Sequence, residues 1–188
     1  SVTGNDGEKI ALMDSETTTH LDVSPDDSKA ELAIALQLPD RAAVQSATLT
    51  GTMRVLVPGR QAKFQFEDLD IGGVDQQSDG GVDVALDQVV EKDGLWEFHM
   101  RLRVNDEVAG LASVRGWVFQ NTTYLIDADG RTLDHVGFES SIATDKDVGL
   151  VYLFEIPEDW SDYAWIYESP VDIRSVPVEY ALKDIPLP

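Results

Sequence analysis

The feature that most constrains this chain is a period of two. Apolar residues alternate with polar ones along most of its length, and no segment holds a convincing 3.6-residue period over three turns. Trp96, Phe98, Met100, Leu102 and Val104 alternate with Glu97, His99, Arg101 and Arg103, which predicts a strand with one apolar and one solvated face. Similar runs are Ala47-Leu49-Gly51-Met53-Val55-Val57, Ala62-Phe64-Phe66, Val82-Val84-Leu86, Val151-Leu153, Tyr163-Trp165-Tyr167 and Val176-Val178-Tyr180-Leu182. Trp117 and Phe119 are placed in a further strand. Ala30, Leu32, Ile34, Leu36 and Leu38 alternate as well. Ser24-Pro25-Asp26-Asp27 could cap a helix there, but the alternation and the stop at Pro39 favour a strand. Turn signals stand between the runs: Pro58-Gly59, Lys92-Asp93-Gly94 and Asp127-Ala128-Asp129-Gly130. About ten short strands separated by turns predict an all-β protein, an antiparallel β-sandwich of the immunoglobulin-like kind.

A 43% hydrophobic content over 188 residues is enough for a real core. Fourteen Lys and Arg against 35 Asp and Glu give a formal charge of −21. A chain this acidic repels phosphate backbones and anionic lipid, so nucleic acid is not an expected partner. No apolar run approaches the ~20 residues of a membrane-spanning helix, so membrane insertion is not expected either. No secretory signal is present, and the opening at Ser1 fits a processed or trimmed N-terminus. Cysteine is absent, which removes disulfides, thiolate nucleophiles and Cys-based zinc sites.

Four landmarks recur in the same order. Asp6-Gly7-Glu8-Lys9-Ile10 matches Asp129-Gly130-Arg131-Thr132-Leu133, and Leu36-Gln37-Leu38-Pro39 matches Phe154-Glu155-Ile156-Pro157. A strand ending at Pro58 matches one ending at Pro170, and Phe64–Leu69 matches Tyr180–Ile185. The expected organisation is therefore a partial repeat or set of extra strands over 1–72, a Gly-rich linker over 73–81, and a complete sandwich over 82–188. A truncated repeat would leave an unpaired edge, so a homodimer is among the expected states.

The strand with Trp96 and Phe98, the hairpin Tyr124-Leu125-Ile126-Asp127-Ala128-Asp129-Gly130, the strand ending Phe154-Glu155-Ile156-Pro157 and the closing Leu182-Lys183-Asp184-Ile185-Pro186 follow one another. Together they resemble the exported immunoglobulin-like domains of many uncharacterised bacterial secreted proteins and lipoproteins, over residues 82–188. The resemblance implies an extracytoplasmic setting, in the periplasm, at the cell surface or secreted. It also implies a binding or scaffolding role, and it carries no functional residue across.

Candidate chemistry is sparse. Asp127-Ala128-Asp129-Gly130 opens like a calcium loop, but the twelfth position that an EF-hand needs acidic is Phe138. A different Ca²⁺ site could draw on Asp127, Asp129 and Asp134, or on Glu139. The competing reading is a plain hairpin turn. His20, His99 and His135 share no ligand spacing, and no Gly-x-Ser-x-Gly elbow or phosphate-cradling glycine loop is present. Among the tryptophans, Trp160 sits in the acidic loop Glu158–Asp162 and is the one expected to be exposed, as a ligand-stacking surface. Trp165, with Tyr163 and Tyr167, is expected to line the core. Asn121-Thr122-Thr123 fits the N-glycosylation pattern, which is expected to be idle in a bacterial protein. The expected function is a non-enzymatic, exported module for protein–protein contact or structural spacing, with no required cofactor. A calcium-stabilised or carbohydrate-binding sandwich is the alternative.

Overall fold

The computed structural model describes residues 1–13, 33–37, 44–67, 69, 74–104, 118–144, 147–156 and 163–187. Every named element is a β-strand: β1 (Val2–Gly4), β2 (Lys9–Ile10), β3 (Ser46–Val57), β4 (Arg60–Phe66), β5 (Asp75–Asp79), β6 (Val82–Lys92), β7 (Leu95–Val104), β8 (Thr123–Asp127), β9 (Thr132–Asp134), β10 (Gly137–Ala143), β11 (Asp147–Phe154), β12 (Tyr163–Val171) and β13 (Arg174–Pro186). They form three antiparallel sheets, ordered β10-β11-β7-β6-β5, β4-β12-β8-β9 and β13-β3-β1-β2. The chain divides into two compact units. Val57–Arg174 makes one, and Ser1–Leu56 with Ser175–Pro188 makes the other.

The larger unit holds the first two sheets, an arrangement consistent with a β-sandwich. Its longest hairpin joins β6 to β7 through Asp93 (φ 53°) and Gly94 (φ 83°), with Lys92 opposite Leu95. Two successive left-handed residues twist a two-residue loop in the sense the flanking strands need, which is why an Asp-Gly pair works there. Alternation then sends Phe98, Met100 and Leu102 of β7 and Leu150, Tyr152 and Phe154 of β11 to the interior. Phe64, Phe66, Leu125, Trp165 and Tyr167 fill it from the other sheet. The two layers touch through Phe98 and Trp165, 6.1 Å between ring centroids, and through Tyr152 and Tyr167, 6.4 Å apart. Trp165 and Tyr167 are buried as expected. The indole Nε1 of Trp165 donates to Thr123 Oγ1 (2.8 Å), whose hydroxyl donates to the Ile166 carbonyl (2.8 Å), so the buried polar groups are matched.

The edges β4 and β5 of the two sheets are tied by side chains. The Gln77 amide donates to the Gln65 carbonyl (2.6 Å) and its oxygen accepts from the Gln65 N–H (3.4 Å), giving an edge strand the partners a neighbouring strand would supply. Arg60 donates to Asp172 (2.8 Å) and to both carboxylate oxygens of Asp79 (2.5 and 2.9 Å). Gly80 lies beneath, in the left-handed region (φ 50°). A Cβ there would sit 2.8 Å from Val171 Cβ, so both conformation and space ask for glycine.

Among the described residues, the smaller unit is the single sheet β13-β3-β1-β2. Val2 stands opposite Leu49 on β3 and Ile10 on β2. Val2, Ile10, Val44 and Ala47 make a small core with Leu36, Leu49 and Leu187 packed on it. The N-terminal ammonium of Ser1 donates to the Thr50 carbonyl on β3 (2.6 Å), and the Leu187 N–H to the carbonyl of Gln45, just before β3 (3.0 Å).

These pairings correct the expected organisation. Residues 75–79 of the expected linker are strand β5, paired with β6 from Asp75 opposite Leu86 to Asp79 opposite Val82. Strand β4, assigned by sequence to the N-terminal segment, pairs with β12 of the larger unit, and β13 joins the smaller. Phe119 lies in a turn, not in a strand, and Trp117 is outside the described residues. Of the alternating run 30–38, Leu36 makes a single bridge to Leu12, and 30–32 and 38 are outside the described residues.

Candidate functional site

The hairpin of β8 and β9 carries the expected calcium ligands. Asp127 Oδ1 accepts from the backbone N–H groups of Asp129 (2.9 Å) and Arg131 (2.8 Å), so its carboxylate is spent on the turn itself. Arg131 Nη1 lies 3.4 Å from Asp129 and 4.0 Å from Asp127, which puts a cation of the chain's own beside both. Asp134 is across from Tyr124, three positions along β8 from Asp127. Among the described residues no three His, Cys, Asp or Glu side chains gather as a metal site; Asp127 and Asp129 belong to the turn, and Asp134 stands at the end of β9. Trp160, the expected stacking residue, and His20 lie outside the described residues.

The other two histidines differ. His99 is on the outward face of β7, 3.1 Å from Glu97. His135 follows β9 and lies among aromatics, with ring centroids 5.2 Å from Tyr152, 6.2 Å from Phe138 and 6.3 Å from Phe154. Its Nδ1 is buried and makes no hydrogen bond. Beside it, exposed Phe119 and Phe138 stack 6.2 Å apart. Burial pushes the Tyr152 phenol up to about 12 and Tyr167 well above its ordinary value. Both phenols therefore stay protonated near neutrality and cannot act there as bases. Asn121 donates to Tyr167 Oη (2.9 Å) and Ser169 Oγ (3.3 Å), so the amide of the glycosylation pattern is already engaged.

The outer face of β6, β7 and β11 gathers cations, each matched by a carboxylate. Arg101 holds Asp87 through two bonds (2.6 and 2.7 Å), Arg103 holds Asp147 (2.8 and 3.2 Å), and Lys92 lies 3.2 Å from Glu97. These contacts raise both guanidinium pKa values and hold Glu97 below the usual carboxylate range. A shallow depression between them is lined by Gln76, Asp83, Ala85, Arg101, Arg103 and Asp147. With the positive charges neutralised in place, this face offers an anion little field.

The surface that stands apart is the ribbon of β3 and β13. Alternation puts Ala47, Leu49, Gly51, Met53 and Val55 on one face of β3, and Val176, Val178, Tyr180 and Leu182 on one face of β13. A Cβ on Gly51 would fall 2.5 Å from Tyr180 Oη, so the Tyr180 ring crosses the Gly51 position and both rows lie on the same side. One end of this face is the small core around Ala47 and Leu49. Among the described residues the other end is bare, with Met53 48%, Val55 37%, Val176 41% and Val178 36% exposed, and Leu182, beside Leu49, is 54% exposed. Such a group is of the order of the ~300–600 Å² that forms the largest apolar patch on a typical monomer, and contiguous patches of this kind mark contact surfaces. The opposite rows carry Thr50, Thr52, Arg54, Ser175, Glu179 and Lys183. Sequence alternation identified both rows, but in a sandwich such rows are expected inside, so the bare face was not foreseen.

No protein-family model, no curated protein and no solved structure matches this chain.

Proposed function

We propose that this chain is a non-catalytic β-sandwich module, immunoglobulin-like and exported, whose work is protein–protein contact. The observation that carries the reading is the bare apolar face of Met53, Val55, Val176, Val178 and Leu182. The chain has 35 acidic residues among 188, yet none stands between Ala47 and Val55 or between Val176 and Leu182 on these two rows, and Arg174 and Asp184 bracket the β13 row. A face kept free of charge and left uncovered fits burial against another protein, because desolvating a carboxylate there would oppose docking. The immunoglobulin-like kinship and the extracytoplasmic setting belong to the same reading and draw their support from the strand and turn signatures of residues 82–188, and the partial repeat draws its support from the four landmarks shared between 6–69 and 129–185.

The test is the double variant Val55→Thr with Val178→Thr, followed by thermal unfolding. A contact surface predicts a midpoint close to that of the parent chain, since exposed substitutions stay within about 0.5 kcal/mol. A loss of about 2 kcal/mol or more in the double variant, as for two buried valines, would mean that the chain covers this face itself, and the reading fails.

A further inference from the structure

We infer that the two four-stranded sheets are copies of one unit that have exchanged their last strands: β4, which follows β3 in the chain, completes the sheet of β12, and β13, which follows β12, completes the sheet of β3. The exchange rests on the partial repeat in the reading above. Among the described residues, the sheets read β2-β1-β3-β13 and β9-β8-β12-β4 from the hairpin outward. Their bonds match position by position. In the first hairpin the Gly4 N–H donates to the Glu8 carbonyl (2.8 Å) and the Gly7 N–H to the Gly4 carbonyl (3.0 Å). In the second, Asp127 donates to Arg131 (3.0 Å) and Gly130 to Asp127 (3.0 Å). Gly7 (φ 86°) and Gly130 (φ 83°) hold the same left-handed position. Val2 stands opposite Ile10 and Leu49, as Leu125 stands opposite Leu133 and Trp165. Beyond the hairpins, the Met13 N–H donates to the Ala35 carbonyl (2.9 Å), as that of Val136 donates to Leu153 (2.8 Å). Gly4 faces Ala47 and Asp127 faces Tyr163, so Gly51 is the counterpart of Tyr167. The fourth strands then agree as well: the Tyr180 ring lies against Gly51, and Phe64 stands opposite Tyr167.

Exchanging equivalent elements between copies costs little, because each strand keeps an equivalent neighbour. Local chemistry then holds the strands in their exchanged places. For β4 to return to β3 in the same register, Leu56-Val57-Pro58-Gly59 would have to close as a four-residue loop. Loops of that length are mostly built on a type I turn, which puts Val57 in the α region, and a residue before proline avoids that region. Pro58 therefore keeps the chain extended as it leaves β3. At the start of β4, Arg60 donates to Asp79 (2.9 Å) and Asp172 (2.8 Å), and the Gly59 N–H donates to the Val171 carbonyl (3.0 Å). Charge points the same way. Lys63 stands opposite Glu168, whereas a returned β13 would set Glu179 there, with two like charges face to face.

The full chain has no cysteine, so a three-cysteine variant, Thr52→Cys with Lys63→Cys and Glu168→Cys, tests this by competition. Residues facing each other across antiparallel strands lie within disulfide reach. Position 63 closes on 168 in the exchanged arrangement and on 52 in the returned one. In a glutathione redox buffer, peptide mapping of the monomeric chain is expected to find the 63–168 bond in at least about tenfold excess. Adding Pro58→Ala and Arg60→Ala is expected to move the ratio toward 63–52 by at least about threefold. A separate variant, Thr52→Cys with Glu179→Cys, is expected to close, because the copied register sets 179 opposite 52, and it stands alone should the three-cysteine chain fail to fold. A 63–52 bond as the main product overturns the exchange, and a 63–168 bond between two chains overturns its place within one. An open 52–179 pair overturns the copied register. An unmoved ratio overturns the restraint by Pro58 and Arg60. The melts of the threonine variants judge the contact surface alone, so the contact reading and the exchange fail separately.

Discussion

Strands β7 and β3 are written in the same grammar and end in opposite environments. Phe98, Met100 and Leu102 are at most 1% exposed, while Met53 and Val55, spaced in the same way, are 48% and 37% exposed. The difference lies in what stands opposite. Phe98 meets Phe154 of its own sheet (5.0 Å) and Trp165 of the facing one (6.1 Å). Within its unit, β3 has β1 and β13 beside it and a small cluster over one end. A period of two specifies a strand with an apolar face, and a second layer decides whether that face becomes core or surface.

The largest expected effect breaks the comparison outright if it fails. Trp165→Ala should cost the larger unit about 3–5 kcal/mol in denaturant unfolding, since it opens a cavity and strips Thr123 Oγ1 of its donor. Met53→Ala should stay within about 0.5–1 kcal/mol. Equal costs at the two sites would mean that both faces are core.

Alkali sharpens the contrast, because the covered face contains phenols. The Tyr152 pKa is raised from 10.0 to about 12, so the native state keeps its proton where the unfolded chain has lost it. This contribution is complete below pH ~10 and is lost as pH rises from there towards ~12, a span worth about 2–3 kcal/mol. Tyr167 adds in the same direction. Stability of Tyr152→Phe should fall less steeply than that of the parent over this range, as followed by urea unfolding at stepped pH. An unchanged slope would place the phenol in water.

A smaller effect compares two crowded glycines. Gly80→Ala meets both a positive φ and Val171, and should cost about 1–3 kcal/mol. Gly51→Ala meets only the Tyr180 ring, which can swing away, and should cost less while changing Tyr180 emission. A reversed order would show that the ribbon is the more rigid of the two regions.

Much of the architecture was legible in local residues. The alternation of Trp96–Val104 placed Phe98, Met100, Leu102 and Val104 on the buried face, and Lys92-Asp93-Gly94 marked the tight turn that follows β6. The Asp127–Gly130 hairpin was also legible as a turn. Its carboxylates resembled ligands because the residue types that accept turn N–H groups are those that bind Ca²⁺. Strand β5 gave no signal, since Asp75-Gln76-Gln77-Ser78-Asp79 has no apolar residue. It is a strand because the edge of β6 offers it hydrogen bonds. In β11, Val151 and Leu153 drew attention, yet Leu150, Tyr152 and Phe154 fill the interior, because a continuous apolar run does not say which parity faces inward.

The sequence by itself determined the strands with an alternating apolar row, such as β4 and β7, and the tight turns, because these follow from the alternation of neighbouring side chains and the φ preferences of Gly and Asp. Tertiary structure alone decided that β4 joins β12, that β13 returns to β3, and that one apolar row is sealed while another stays bare. Pairing and cover join residues far apart in the chain, and one strand's pattern is compatible with many partners. Only the packing of whole sheets selects among them.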